Sequence, residues 1–184
     1  MESATYRKQL YEICGDFDGD ADERIERALD IGTAYLALPL GFLTRIDDGV
    51  QKIVYATGDH PELQPGKSCP LDRAYCRATV EQDAPLAVQK VATSTEISDA
   101  AVETFNLGSY IGVKVIVEGT VFGTVCFGGY ESRERPFSEE ECLFVELVGQ
   151  IVRTIYETQA KSDELAARTR RLEAEKQRFE GIAE

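Results

Sequence analysis

One stretch limits the folds open to this chain more than any other: Tyr110 to Tyr130, YIGVKVIVEGTVFGTVCFGGY. β-branched residues dominate both sides of Glu118-Gly119. A Gly in the second position of a two-residue loop supplies the positive φ that a tight hairpin needs. The arm before the turn is too apolar for an exposed edge, so this hairpin belongs at the centre of a sheet covered on both faces.

The rest of the chain is placed around it. Tyr6, Leu10 and Ile13 give an amphipathic helix over 3–15. The acidic break at 16–20, DFDGD, partly matches a calcium-loop spacing, but no Glu stands at the twelfth position, so it reads as a solvated turn with a helix N-cap. Ile25, Ala28, Leu29, Gly32 and Leu36 share one face of a helix over 21–37, stopped by Pro39. Strands follow at 41–46 and 51–57 around an Asp47-Asp48-Gly49 turn. The 58–66 loop holds His60, the one His in the chain, read as exposed. A short strand at 66–71 leads to a helix from an Asp72 cap to about Gln82, and another short strand spans 85–91. Thr93, Ser94 or Thr95 caps a helix ending at Asn106-Leu107-Gly108. Past the hairpin, Ser138 and Glu141 form a capping box that opens a long helix with no stop signal. The order is that of an α+β fold: a central antiparallel sheet, terminal helices on one face and short helices on the other.

Composition narrows the function classes. The chain has 184 residues and a net charge of −13, which disfavours nucleic acid and anionic membranes as partners. Arg outnumbers Lys thirteen to seven on this acidic chain, a balance frequent in proteins of high-salt cytoplasm, so a halophilic source is one expectation. There is no run of 18 apolar residues and no secretory leader pattern, and the expected location is the cytoplasm. Five Cys (14, 69, 76, 126 and 142) without a CxxC pair read as free thiols rather than a zinc site.

The order of elements resembles the GAF domain family of sensory and regulatory modules. The resemblance is carried by Leu107-Gly108-Ser109-Tyr110-Ile111-Gly112-Val113, the Glu118-Gly119 turn, Phe122-Gly123-Thr124-Val125-Cys126-Phe127 and Arg135-Pro136-Phe137-Ser138-Glu139-Glu140-Glu141. Upstream, Leu71 and Tyr75-Cys76-Arg77-Ala78-Thr79 look like GAF domains of multi-domain microbial sensors, including haloarchaeal ones attached to histidine kinases or bacterio-opsin-activator-like regulators. The resemblance implies three parts: an N-terminal helix at 1–19, a GAF domain at 20–158, and a coiled-coil linker at 159–184 leading to a kinase, PAS or transcription-regulator output domain. It also implies a pocket between the sheet and the middle helices. In some members that pocket holds a cyclic nucleotide, a bilin, a haem or another small molecule. In others the domain serves for dimerisation alone.

With a regular two-residue turn, Val117 pairs with Thr120, Val115 with Phe122, Val113 with Thr124 and Ile111 with Cys126, all on one face. Tyr110, Gly112, Lys114, Ile116, Val121, Gly123, Val125 and Phe127 take the other face. Its two glycines would admit a close-packed helix, so that face is assigned to the terminal helices and the Ile111/Val113/Thr124/Cys126 face to the pocket. A bulge would exchange the faces beyond it. Cys69, Tyr75 and Cys76 complete the candidate ligand-binding set, and Tyr110 is a further amphipathic ring for the rim. No cofactor is named by these residues. Bilin attachment is disfavoured because Arg77 follows Cys76, and a haem lacks an axial ligand. The cyclic-nucleotide signature is also absent. A Cys-based free-methionine-sulfoxide reductase is a competing class, but the acidic run of those enzymes is missing between Pro85 and Asn106. The expectation is therefore a non-enzymatic module.

The last helix can be written in heptads from Val148. Ile151, Thr158, Leu165, Leu172 and Phe179 fall at d, and Val148, Ile155, Ser162, Thr169, Lys176 and Ala183 at a. Ile151, Ile155, Leu165, Leu172 and Phe179 are the expected contacts of a marginal parallel homodimer. A ligand-free dimerisation domain remains the third possibility.

Overall fold

The computed structural model describes residues 2–16 and 19–180. Phe17 and Asp18 of the acidic break, and 181–184 with the last a position, Ala183, lie outside the described residues. The elements run α1 (Glu2–Gly15), α2 (Ala21–Leu36), β1 (Leu40–Asp47), β2 (Val50–Thr57), β3 (Ser68–Pro70), α3 (Tyr75–Val80), β4 (Leu86–Val88), α4 (Asp99–Phe105), β5 (Ser109–Val117), β6 (Thr120–Gly129) and α5 (Glu139–Glu180). Among the described residues, no helix is long and apolar enough to cross a membrane.

Local chemistry sets the helix ends. The Asp20 carboxylate accepts from the Asp22 and Glu23 amides at 2.9 and 3.1 Å and starts α2. The capping box before α5 is formed: Ser138 N–H donates to Glu141 Oε2 at 2.7 Å, and Glu141 N–H to Ser138 Oγ at 3.2 Å. Both hairpin turns use two left-handed residues, Asp48-Gly49 and Glu118-Gly119.

Six strands form one antiparallel sheet in the order β3-β2-β1-β6-β5-β4. The outer strands β3 and β4 are three residues each, so both edges are short. Helices α1, α2 and α5 cover one face over Leu43, Val125 and Phe127. The segment with α3 and α4 covers the other over Phe42, Ile53 and Cys126. The sheet is thus buried on both sides, as the apolar hairpin demands.

The hairpin register departs from the regular pattern after two pairs. Val117 pairs with Thr120 and Ile116 with Val121, but Val115 pairs with Gly123, leaving Phe122 as the extra residue of a bulge. Beyond it Val113 meets Val125 and Ile111 meets Phe127. Thr124 and Cys126 stay on the pocket face, whereas Ile111 and Val113 turn to the terminal helices. The assignment of Ile111 and Val113 to the ligand pocket is therefore corrected. Tyr110 takes the side of Thr124 and Cys126 instead, fully buried against the middle segment.

The hairpin glycines do not receive helices. A Cβ on Gly112 would meet the Tyr110 hydroxyl, and one on Gly123 the Thr44 carbonyl. Helix approach is granted instead from the helices. A Cβ on Gly32 would lie 2.2 Å from the Phe127 ring, and one on Gly149 2.8 Å from Val113 Cγ1.

Three further expectations change. The middle helices are shorter: a 3₁₀ turn at Leu71–Arg73 precedes α3, Ala74 rather than Asp72 stands at its cap, and Ser98 rather than 93–95 caps α4. His60 is buried, only 5% exposed. Its Nδ1 accepts from the Glu62 amide at 3.1 Å, which fixes the tautomer, so Nε2–H donates to the Phe105 carbonyl at 2.8 Å. His60 thereby ties the 58–66 loop to the end of α4. Finally, Ile151 and Ile155 are each 2% exposed inside the domain core. They hold α5 to the sheet and are unavailable as a dimer seam. Leu165, Leu172 and Phe179 stand in the open.

Candidate functional site

The sheet's second face carries polar groups where an ordinary core would carry none. Thr44 on β1 and Thr124 on β6 are adjacent partners across the ladder and both wholly buried. Their hydroxyls lie 2.7 Å apart, and the Thr124 amide donates to Thr44 Oγ1 at 3.1 Å. Above them α3 brings Cys76 and, one turn on, Thr79. Tyr110 of β5 and Cys126 of β6 complete the cluster.

These six side chains satisfy one another. Thr44 and Thr124 share the 2.7 Å bond, and Thr124 Oγ1 donates to Cys76 Sγ at 2.8 Å. Cys76 Sγ stands 3.9 Å from Cys126 Sγ, within reach of an S–H donor. Cys126 donates to Thr124 Oγ1 at 3.1 Å and lies 3.0 Å from the Tyr110 hydroxyl. Tyr110 and Thr79 share a 2.6 Å hydrogen bond, and Thr79 donates to the Tyr75 carbonyl at 3.3 Å. Every hydroxyl and thiol of this group has a partner, so it is affordable inside an apolar layer. Burial works to raise the Cys76 thiol pKa, but hydrogen bonds from Cys126, Thr124, Thr44 and Tyr110 outweigh it and hold it below the ordinary value. The same burial leaves Cys126 and Tyr110 well above theirs.

Beside this group lies a narrow, partly open crevice lined by Phe42, Gln51, Leu63, Tyr75, Cys76, Phe105 and Leu107. It is divided too finely to admit a water-sized sphere. Tyr75 sets one wall, edge-on to Phe105 at 5.9 Å and tilted on Tyr110 at 5.0 Å. Oε1 of Gln51 has no hydrogen-bond partner and the Tyr75 hydroxyl has no well-formed one, with only the Leu107 backbone amide near it, and both residues are 2% exposed. Burial pushes the Tyr75 phenol pKa up to about 12, so it stays protonated and able to donate. Gln51 Nε2 points toward Cys69 Sγ at 3.8 Å. Cys69 sits half-buried on the edge strand β3, its thiol pKa raised by burial. None of the lining residues carries a charge. Among the described residues, no group of three or more His, Cys, Asp or Glu is placed to hold a metal.

Of the residues singled out in the sequence, the structure gathers Cys69, Tyr75, Cys76, Thr124 and Cys126 on this face. It sends Ile111 and Val113 to the other. Sequence reasoning missed Thr44, Gln51 and Thr79. Gln51 did carry a signal: it shares strand parity with the core residue Ile53, an unusual place for an amide.

An antiparallel sheet with helical layers on both faces and a long emergent helix define an α+β module. The chain belongs to the GAF domain family, whose model matches residues 18–155. Solved structures agree in fold. The GAF domain of a phosphoenolpyruvate-protein phosphotransferase from Coxiella burnetii is 16% identical, with 89% of this chain and 99% of that one covered at a TM-score of 0.69. The phycoerythrobilin-bound GAF domain of a cyanobacterial phytochrome is 14% identical, covering 86% and 97% at 0.70. The free methionine-R-sulfoxide reductase of Neisseria meningitidis is 15% identical, covering 88% and 94% at 0.67. No curated protein matches the sequence at a significant level.

Proposed function

We propose that this GAF domain is a non-enzymatic sensor module of a signal-transduction protein, binding a small uncharged molecule beneath α3 and α4, where the crevice widens by a shift of those helices to receive it. The observation that carries this reading is Gln51 Oε1, a buried acceptor without a partner, on a residue that lines this crevice together with Tyr75 and the apolar walls Phe42, Leu63, Phe105 and Leu107. A buried acceptor left unpaired costs about 1–3 kcal/mol, and a ligand with an N–H or O–H donor for Gln51 recovers it. The walls suit an aromatic or aliphatic body and offer no counter-ion for a phosphate or carboxylate.

The test is direct. Protein purified from its host is analysed by native mass spectrometry for a retained small molecule, alongside a Gln51→Leu variant. The expected result is a retained species in the parent and at least a tenfold lower occupancy in the variant, since one lost buried hydrogen bond to a ligand is worth about that factor. No retained species in either protein, with Gln51→Leu raising stability, would make the crevice a filled core and favour the ligand-free alternative.

The same reading includes a homodimer. Leu143 and Leu147 are 55% and 39% exposed on α5, and Leu165, Leu172 and Phe179 are more exposed still. Phe179 lies 36 residues beyond Leu143, about ten turns of a straight helix, so both ends of this stripe point the same way. A parallel copy of α5 is the occupant that suits it, replacing the seam through Ile151 and Ile155. Leu172→Asp is expected to shift the molar mass from dimer to monomer in light scattering while leaving the domain's thermal unfolding within about 2 °C, as befits an exposed substitution. A parent that is monomeric at all concentrations would remove the dimer.

A further inference from the structure

We propose that Cys76 and Cys126 are an oxidisable dithiol, a modification site that hydrogen peroxide or a related hydroperoxide converts to an intramolecular disulfide.

The geometry sets the two sulfurs apart from the other three. They stand 3.9 Å apart, on different elements, 50 positions apart in the chain. A disulfide needs about 2.05 Å, so a side-chain rotation and a small approach of α3 to β6 close the gap. Cys76 occupies the second position of a six-residue helix, held between a 3₁₀ turn and the exposed stretch 81–84. Such a segment is the easiest part of this layer to shift, and its local opening admits a water-sized oxidant to a sulfur that is otherwise covered. Cys14 and Cys142 lie on the terminal-helix side and Cys69 on the edge strand.

The polar surroundings distinguish the two roles. Thr124 Oγ1 donates to Cys76 Sγ at 2.8 Å and Thr44 Oγ1 points at it from 3.7 Å, so two hydroxyls face negative charge on that sulfur, whereas Cys126 itself donates to Thr124 Oγ1 at 3.1 Å. Cys76 is therefore the attacking thiol. Its sulfur displaces hydroxide from one peroxide oxygen. The O–O bond breaks, the departing hydroxide takes the Cys76 proton as water, and Cys76 is left as a sulfenic acid. The Cys126 sulfur then attacks Cys76 Sγ. The S–O bond breaks and the second hydroxide leaves as water with the Cys126 proton. Two thiols and one peroxide give one disulfide and two waters, with one electron drawn from each sulfur. A small dithiol reverses the change by exchange. Oxidation withdraws the S–H that Thr124 receives and pins α3 to the sheet, so the dithiol sets the position of the wall that Cys76 contributes to the crevice.

The experiment treats the reduced full chain with hydrogen peroxide, alkylates remaining thiols under denaturing conditions, and maps peptides without reduction. The expected product links the peptides bearing Cys76 and Cys126, while Cys14 and Cys142 remain alkylated. Amide exchange across 75–80 slows by about tenfold on oxidation and recovers with a dithiol reductant. Cys126→Ser, which keeps a hydroxyl donor for Thr124, is expected to abolish the link and leave Cys76 as sulfenic or higher acids. A link between Cys69 and Cys76, or oxidation confined to Cys14 and Cys142, overturns the proposal. So does unchanged exchange across 75–80 in a linked product.

Discussion

Gly123→Ala is expected to cost about 3 kcal/mol or more of unfolding free energy, at the upper end of what overpacking does. A methyl there would lie 1.8 Å from the Thr44 carbonyl oxygen and 3.0 Å from the Arg45 Cα, both backbone atoms. Gly123 is paired with Arg45 on one side and Val115 on the other, in the interior of the sheet. The backbone cannot step aside without releasing a ladder whose buried amides have no other partner. Gly119→Ala is the control. Its φ is +81° with nothing within 4 Å, so only left-handed strain applies, about 1–2 kcal/mol. Urea unfolding of both variants decides the matter. A Gly123 cost no larger than that at Gly119 would mean that the bulged ladder yields easily.

Glu141→Ala is expected to cost about 3–5 kcal/mol, the usual result of stripping one partner from a buried ion pair. The carboxylate is 6% exposed and receives Arg133 at 2.6 Å, Arg135 at 3.2 Å and the Ser138 amide at 2.7 Å. Arg133 itself lies 4.0 Å over the Phe137 ring, with a side chain only 13% exposed. Truncation therefore strands a covered guanidinium and uncaps α5 together. The effect depends on pH. Burial works to raise the Glu141 pKa, but the Arg133 hydrogen bonds, then the Ser138 amide and the two guanidinium charges, bring it below the ordinary carboxylate value. A depressed folded pKa stabilises the fold in full above the unfolded value of about 4.3, and that stabilisation fades as pH falls through the lower folded value. The gap between parent and Glu141→Ala should therefore be full at pH 7 and shrink below about pH 4. Glu141→Gln, which keeps an acceptor for the cap, should fall between. An equal gap at pH 7 and pH 3 would refute the ion-pair account.

What was legible in the sequence was local. The Glu118-Gly119 turn, the Asp20 cap and the Ser138/Glu141 box each depend on residues within three positions of one another, and all three form. The layer order followed, because apolar strands on both sides of a turn require cover on both faces. The bulge at Phe122 was not legible. Alternation marks a face only when one side is wet, and here Ile111 and Tyr110 are both wholly buried, on opposite sides. The seam of α5 was misread for a different reason. A heptad frame drifts about 20° per repeat on a straight helix. Traced back from Phe179 to Ile151, the d column rotates by about 80° and passes from solvent into the core. His60 and Gln51 were hidden because their partners, Phe105 and Cys69, come from other elements.

The grip of the domain on α5 ends near Tyr156, yet the helix continues to Glu180. At 1.5 Å per residue the free part is a rod of about 36 Å. Rods convert angle into distance. A tilt of about 5° where Ile151 and Ile155 seat against the sheet would carry the far end about 3 Å sideways. A displacement too small to disturb the packing of any side chain in the core would thus arrive at the end of α5 as a lateral shift that a neighbouring helix can feel.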